Sequence, residues 1–189
     1  MHSHRQTSIL SLNPRIAIGG QPAGDVDRMT SLSSPTSLTY NAIEEDDTQR
    51  LGLELGRAAL PGLVIGLNGD LGAGKTRLVR AIVEGLDGSP RDVSSPTFVL
   101  LQHYPARLEV HHADAYRLKS SVEFLDLGSE EWIGDTGVAL IEWAQRVADA
   151  LPTDRLDIQI TVTGEFSRRF NITAGGPISR ELLRQLPQL

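Results

Sequence analysis
The segment Gly69-Asp70-Leu71-Gly72-Ala73-Gly74-Lys75-Thr76 fits the phosphate-binding pattern G-x-x-x-x-G-K-[ST] at every position. Glycines at these places let the backbone curl until several N–H groups point inward. A helix starting beside the loop adds its positive end, so the arrangement suits an array of phosphate oxygens. Lys75 is the side chain that would reach the β- and γ-phosphates, and the Thr76 hydroxyl is suited to magnesium. A nucleoside triphosphate is the ligand to which this chemistry points.

Such a loop binds phosphate but does not hydrolyse it unaided. It needs an acid that holds magnesium and a group that orients the attacking water. Glu142 closes the apolar run Val138-Ala139-Leu140-Ile141, which places it at the carboxyl end of a strand, where ligands bind in open α/β sheets. Asp114 closes Leu108-Glu109-Val110-His111-His112-Ala113 and is followed by Tyr116-Arg117. The competing assignment is a loop carboxylate paired with an arginine, Asp114 with Arg117 for example. Ser94-Ser95-Pro96-Thr97-Phe98 suits a mobile segment that senses the γ-phosphate, and suits a simple turn equally well. His111 and His112 invite a metal reading, but strand neighbours face opposite sides and cannot easily share one ion, so both are read as structural. Trp143 reads as a core or interface aromatic, or as a wall of the pocket.

The elements that must position these residues follow from periodicity and breakers. Helix-capping types at Asp46, Asp47 and Thr48 precede Leu51, Leu55, Ala58 and Ala59 on one face, and Pro61-Gly62 ends that helix. The strand Leu63 to Leu67 leads into the loop, and Leu78, Ile82 and Leu86 repeat at helical spacing after it. Thr97 to Tyr104 and Leu108 to Asp114, joined around Pro105, predict a hairpin. A helical stretch from about Ser120 to Leu127 precedes the buried strand ending at Glu142, and a helix is predicted over Ala144 to Leu151, stopped by Pro152. Leu156 to Val162 and Phe166 to Ile172 alternate across the turn Thr163-Gly164-Glu165, and Ile178 to Leu186 forms a last amphipathic helix. The predicted class is α/β: a P-loop NTPase-like three-layer fold with a mostly parallel central sheet and an added C-terminal antiparallel hairpin, in one domain over residues 41–189. Residues 1–40 are rich in Ser, Thr, Gly and Pro without periodicity, which predicts a disordered extension, with Met29 as an alternative start.

Composition narrows the chemistry further. With no cysteine among 189 residues, disulfide, thiolate-metal and thiol-nucleophile mechanisms are excluded. No apolar run approaches the roughly 20 residues of a membrane helix, and no secretory signal is evident, so the expected compartment is the cytoplasm. A net charge of −6 argues against a broad electrostatic grip on nucleic acid. Arg77, Arg80, Arg91 and Arg117 remain candidates for a local positive patch near the nucleotide, whereas Arg107 reads as solvated surface.

Four motifs stand in order: the loop at 69 to 76, Ser-Pro-Thr-Phe at 95 to 98, Asp-Ala-Tyr-Arg-Leu at 114 to 118 and Ile-Glu-Trp at 141 to 143. Together they closely resemble the TsaE (YjeE) family of bacterial ATPases, over roughly residues 44 to 175. The resemblance implies a compact P-loop fold that hydrolyses ATP with Mg2+ in support of TsaB and TsaD. That machinery installs the threonylcarbamoyl group on the adenosine beside the anticodon of certain tRNAs, and tRNA contact by this chain is expected to be indirect. Leu71, Gly72, Ala73, Gly74, Lys75 and Thr76 would bind phosphates, Thr76 and Glu142 would hold magnesium, and Asp114 would orient or activate water. Ser95 to Thr97 would match the family's switch-like segment, Glu45 and Thr48 would approach the adenine side, and Arg168 would reach the nucleotide. Two departures stand out: Arg77 where the family often has a second Thr, and His112 where an aromatic commonly precedes the Asp.

Two other functions compete. A small P-loop kinase would use the same loop, but no arginine-bearing lid is evident after Glu142. A nucleotide-gated docking protein would bind ATP to order a surface without significant hydrolysis. A GTPase is disfavoured because no N-K-x-D pattern for reading guanine is present.

Overall fold
In the computed structural model, residues 36–186 are described. The predicted disordered extension therefore lies, as far as residue 35, outside the described residues. Its last residues do have a structure: Ser37–Ala42 forms strand β1, so order begins earlier than composition suggests. The remaining elements are α1 (Glu45–Arg57), β2 (Val64–Asn68), α2 (Lys75–Gly85), β3 (Leu101–Tyr104), β4 (Val110–Asp114), α3 (Ser121–Leu125), α4 (Ser129–Trp132), β5 (Val138–Glu142), β6 (Leu156–Val162), β7 (Arg168–Ala174) and α5 (Pro177–Gln185).

The seven strands form one sheet in the order β1-β7-β6-β2-β5-β4-β3. The centre, β6-β2-β5-β4, is parallel, whereas β3 and the β6-β7-β1 flank pair antiparallel. The sheet as a whole is thus mixed, with the expected parallel strands at its centre. The anticipated C-terminal hairpin is β6-β7, and β1 extends it by a strand. Three of the predicted boundaries also change. Thr97 to Leu100 form turns rather than strand, because Pro96 interrupts the ladder and Leu100 adopts a left-handed φ of 67°. Phe166 precedes β7, which starts at Arg168. The predicted helix over Ala144 to Leu151 is two 3-10 turns, Ala144–Arg146 and Ala148–Ala150.

Strand alternation divides the core. Ile65 and Leu67 of β2 and Leu140 of β5 pack with Leu51 and Leu55 of α1 and Leu78 and Ile82 of α2. Val64, Ala139 and Ile141 face the other way, onto Phe124 and Trp132. Each fully buried Leu or Ile contributes about 1.5–3 kcal/mol of transfer free energy, so the sheet is held from both faces. Helices α1 and α2 approach closely: a Cβ on Gly52 would lie 2.3 Å from the Ala81 side chain, and one on Gly56 would lie 2.3 Å from the Ile82 carbonyl. This contact fixes the helix that leaves the phosphate-type loop. Among the described residues, no helix is long and apolar enough to cross a membrane.

The parallel centre brings three strand ends together. In register, Glu142 lies opposite Leu67 of β2 on one side and Asp114 of β4 on the other. Everything the sequence marks as chemical on these strands thus emerges at one edge of the sheet.

Candidate functional site
The loop between β2 and α2 turns on three glycines with positive φ: Gly69 at 145°, Gly72 at 78° and Gly74 at 104°. Side chains with a Cβ are strained at such angles. Gly74 is the N-cap of α2, so the first N–H groups of that helix open toward the loop without an acceptor inside the helix. The loop is therefore a concave array of donors at the positive end of an eleven-residue helix.

Leu71, Gly72, Gly74, Lys75, Thr76, Asp114 and Glu142 line one cleft of about 250 Å3, together with Arg77, Ser95, Thr97, Tyr116 and Trp143. A second, smaller cavity of about 40 Å3 is lined by Glu45, Thr48, Ala73, Arg168 and Phe166, and shares Gly74 and Arg77 with the first. The structure thus brings every sequence-predicted site residue to two adjoining recesses around Gly74. Arg77 spans them: its guanidinium pairs with Glu45 at 2.6 Å, while its Nε is buried without a partner among the described residues. Arg168 donates from Nε to the Ala73 carbonyl at 3.0 Å, which ties β7 to the back of the loop.

Lys75 is buried, and its ammonium donates to the carbonyls of Gly69 at 2.7 Å and Asp70 at 2.9 Å. It also sits 3.8 Å from the centroid of the Trp143 ring. Burial draws its pKa below the ordinary lysine value, and the carboxylates of Glu142, Asp114 and Asp70 oppose that shift. Trp143 takes a left-handed φ of 56° while its N–H continues the ladder to Leu67 at 2.8 Å. Its ring lies 5.0 Å from Tyr116, and Trp143 both lines the cleft and packs against the core on the Phe124 side of the sheet.

Both strand-end acids are buried and engaged. Glu142 accepts the Thr76 hydroxyl at 2.7 Å on Oε1. Asp114 accepts Thr97 at 2.6 Å and Ser95 at 3.4 Å on Oδ2, and the Tyr116 N–H at 2.8 Å on Oδ1. Arg117 instead lies over the ring of Phe98 at 4.5 Å, so no Asp114–Arg117 pair forms. Within the Ser94 to Phe98 segment, a turn starts at Thr97, and the Ser95 and Thr97 hydroxyls converge on Asp114 while that of Ser94 bonds Gln102.

One residue of this site is invisible in the sequence pattern. His112, read there as structural, is fully buried with Nε2 3.0 Å from Glu142 Oε1 and Nδ1 3.2 Å from the Tyr104 hydroxyl. Nε2 donates to the Glu142 carboxylate, and burial raises the Tyr104 pKa so that the phenol keeps its proton. The Tyr104 oxygen also lies 3.4 Å from the Ser94 carbonyl and contacts Gln102, whose amide bonds Ser94 Oγ at 3.2 Å. Side chains therefore connect Thr76, through Glu142, His112 and Tyr104, to the segment that holds Asp114. The pairings of β4 with β5 and with β3 create that link.

Fold and site define an α/β protein with a donor-rich glycine loop and two buried carboxylates at the carboxyl edge of a mixed sheet. Residues 42–170 match the family described as threonylcarbamoyl adenosine biosynthesis protein TsaE, and the chain belongs to this family. It is 41% identical over 126 residues to the tRNA threonylcarbamoyladenosine biosynthesis protein TsaE of Treponema pallidum, covering 67% of this chain and 93% of the relative. The Bacillus subtilis protein of the same name is 38% identical over 140 residues, covering 74% and 87%. The crystal structure of Bacillus subtilis YdiB superposes with a TM-score of 0.67 at 31% identity, covering 79% of this chain and 93% of that one.

Proposed function
We propose that the chain is a P-loop ATPase that binds ATP with Mg2+ and hydrolyses it in support of threonylcarbamoyl modification of the tRNA adenosine beside the anticodon, acting with TsaB and TsaD in the cytoplasm. The observation that carries the reading is the Thr76 hydroxyl held 2.7 Å from the buried Glu142 carboxylate, beside a loop of inward-facing donors. A hydroxyl and a carboxylate are hard oxygen donors and fit magnesium, which binds through one or two protein ligands and phosphate oxygens. When bound, that ion would neutralise phosphate charge at the γ-position.

The residues divide the remaining work. The loop amides from Leu71 to Thr76 bind the phosphates, and the Lys75 ammonium, now on two carbonyls, transfers to them as the negative charge arrives. Asp114 orients water for in-line attack, with Ser95 and Thr97 fixing its carboxylate. Glu45, Thr48, Arg77 and Arg168 form the recess on the base side of the loop, which suits the remainder of the nucleotide.

A second reading draws on one further observation. Leu71 is 81% exposed and Phe98 80% exposed, and both lie beside the cleft, so bound nucleotide could present an apolar rim to a partner. The test is ATP hydrolysis with magnesium by the purified chain, alone and with TsaB and TsaD, using Lys75→Ala as the blank. Stimulated, Lys75-dependent phosphate release supports the ATPase. Binding without release under any condition favours the nucleotide-gated docking protein, and phosphate transferred to a small acceptor favours a kinase.

A further inference from the structure
Away from the cleft, the β3–β4 hairpin at the sheet edge carries three donors that no part of the proposed reaction uses. His103 and His111 are directly opposed across the strands, with their Nδ1 atoms 2.9 Å apart. Glu109 Oε1 lies 3.8 Å from His103 Nδ1, and one ligand atom from each of the three residues falls within 4.8 Å of the others. We propose that His103, Glu109 and His111 form a binding site for a late first-row divalent ion, with Zn2+ as the fitting probe.

The geometry favours such an ion over a bare histidine pair. His111 is constrained by two neighbours. Its ring stacks on Trp132 at 5.6 Å, and its Nε2 faces Gly137, where an added Cβ would lie only 2.9 Å away. Nδ1 is thus the atom presented to the hairpin edge. Two imidazole nitrogens on a tetrahedral ion stand about 3.3 Å apart, given metal–nitrogen bonds of about 2.0–2.1 Å, so His103 would move by less than ~0.5 Å. His103 and Glu109 have the freedom for that, with side chains 50% and 62% exposed.

Donor chemistry also separates this site from the cleft. Two nitrogens and one carboxylate suit zinc, nickel or copper, whereas hydroxyl and carboxylate oxygens suit magnesium. Three protein ligands leave one tetrahedral position for water or an outside donor. Because β3 is a four-residue edge strand following the Thr97 to Leu100 turns, an ion bridging it to β4 would staple the strand that anchors that segment.

The test is isothermal titration of the full chain with Zn2+ in millimolar Mg2+ and without nucleotide, so that it is independent of ATP hydrolysis. One ion per chain is expected to bind. His103→Ala, whose half-exposed position leaves the fold intact, and His111→Asn should each weaken binding by at least on the order of 10-fold. The double variant His2→Ala/His4→Ala and the cleft variant Glu142→Gln should bind as the parent does. Absence of zinc binding at 100 μM, as an order-of-magnitude threshold, would overturn the proposal. Binding that survives His103→Ala, or that disappears with Glu142→Gln or with the N-terminal histidines, would overturn it too. Ni2+ or Cu2+ gives a local check through Trp132: its fluorescence should be quenched in the parent and in Trp143→Phe but not in Trp132→Phe, and unchanged quenching in Trp132→Phe would count against the site.

Discussion

His111 and His112 are consecutive residues of β4, yet their surroundings share almost nothing. His112 turns toward the cleft side, fully buried, and joins Glu142 to Tyr104. His111 turns the other way, onto Trp132 and across to His103 at the hairpin edge. The period of two in a strand makes this split unavoidable. What each imidazole can do is then decided by its neighbouring strand: β5 offers His112 a buried carboxylate, while β3 offers His111 a second imidazole. On the proposed function and the proposed ion site, one strand would serve two unrelated pieces of chemistry, and only its cleft face should matter to phosphate release.

The most severe perturbations are expected where the cleft face meets the loop. Lys75→Ala should lower ATP turnover by on the order of 10²–10³-fold, because it removes the charge that stabilises the developing phosphate negative charge. Glu142→Ala should abolish magnesium-dependent turnover at a stability cost of about 1–3 kcal/mol, that of leaving the buried His112 donor unpaired; a loss of stability with an unchanged rate would return Glu142 to a structural role. Asp114→Asn should cost about 10²–10⁴-fold in kcat with nucleotide affinity preserved, measured by turnover and equilibrium nucleotide binding. His112→Leu comes next. Removing the Nε2 donor frees the Glu142 carboxylate to rotate, so the magnesium concentration for half-maximal rate should rise about 10–100-fold, with partial recovery in His112→Gln. If His111→Asn reduced turnover as much as His112→Leu does, the two faces would not be functionally separate.

The loop and its acids were legible because their signals are local. A glycine-rich octet after an apolar strand, and single carboxylates closing apolar runs, carry their positions with them. The extension's boundary was not, because Ser37–Ala42 owes its strand to β7: Tyr40 and Ala42 are buried only once paired beside Phe170 and Arg168. Likewise Ala144 to Leu151 has helical composition, but the left-handed Trp143 and the packing of Ala144 and Val147 under the sheet leave room only for tight 3-10 turns. The Glu142–His112–Tyr104 link was illegible for a similar reason. It joins residues 8 and 30 positions apart, and nothing in either segment specifies the register that brings them into contact.

The smallest expected effect lies on the opposite face and concerns pH. Burial, reinforced by the neighbouring His103, holds the His111 pKa below the ordinary histidine value, against weaker pulls from Glu109 and Asp135. The unfolded chain therefore takes up this proton more readily than the native one. Stability from the unprotonated ring is complete above about pH 6.5 and is lost as pH falls through the unfolded value toward the depressed native one. Between about pH 7.5 and 5.5 the melting temperature of the parent should drop by on the order of 1–2 °C more than that of His111→Asn, which has no proton to gain. Scanning both proteins by differential scanning fluorimetry, metal-free, would measure this difference. Parallel curves would mean that His111 protonates as easily when folded as when unfolded, and that the Trp132 side of β4 is open to water rather than packed.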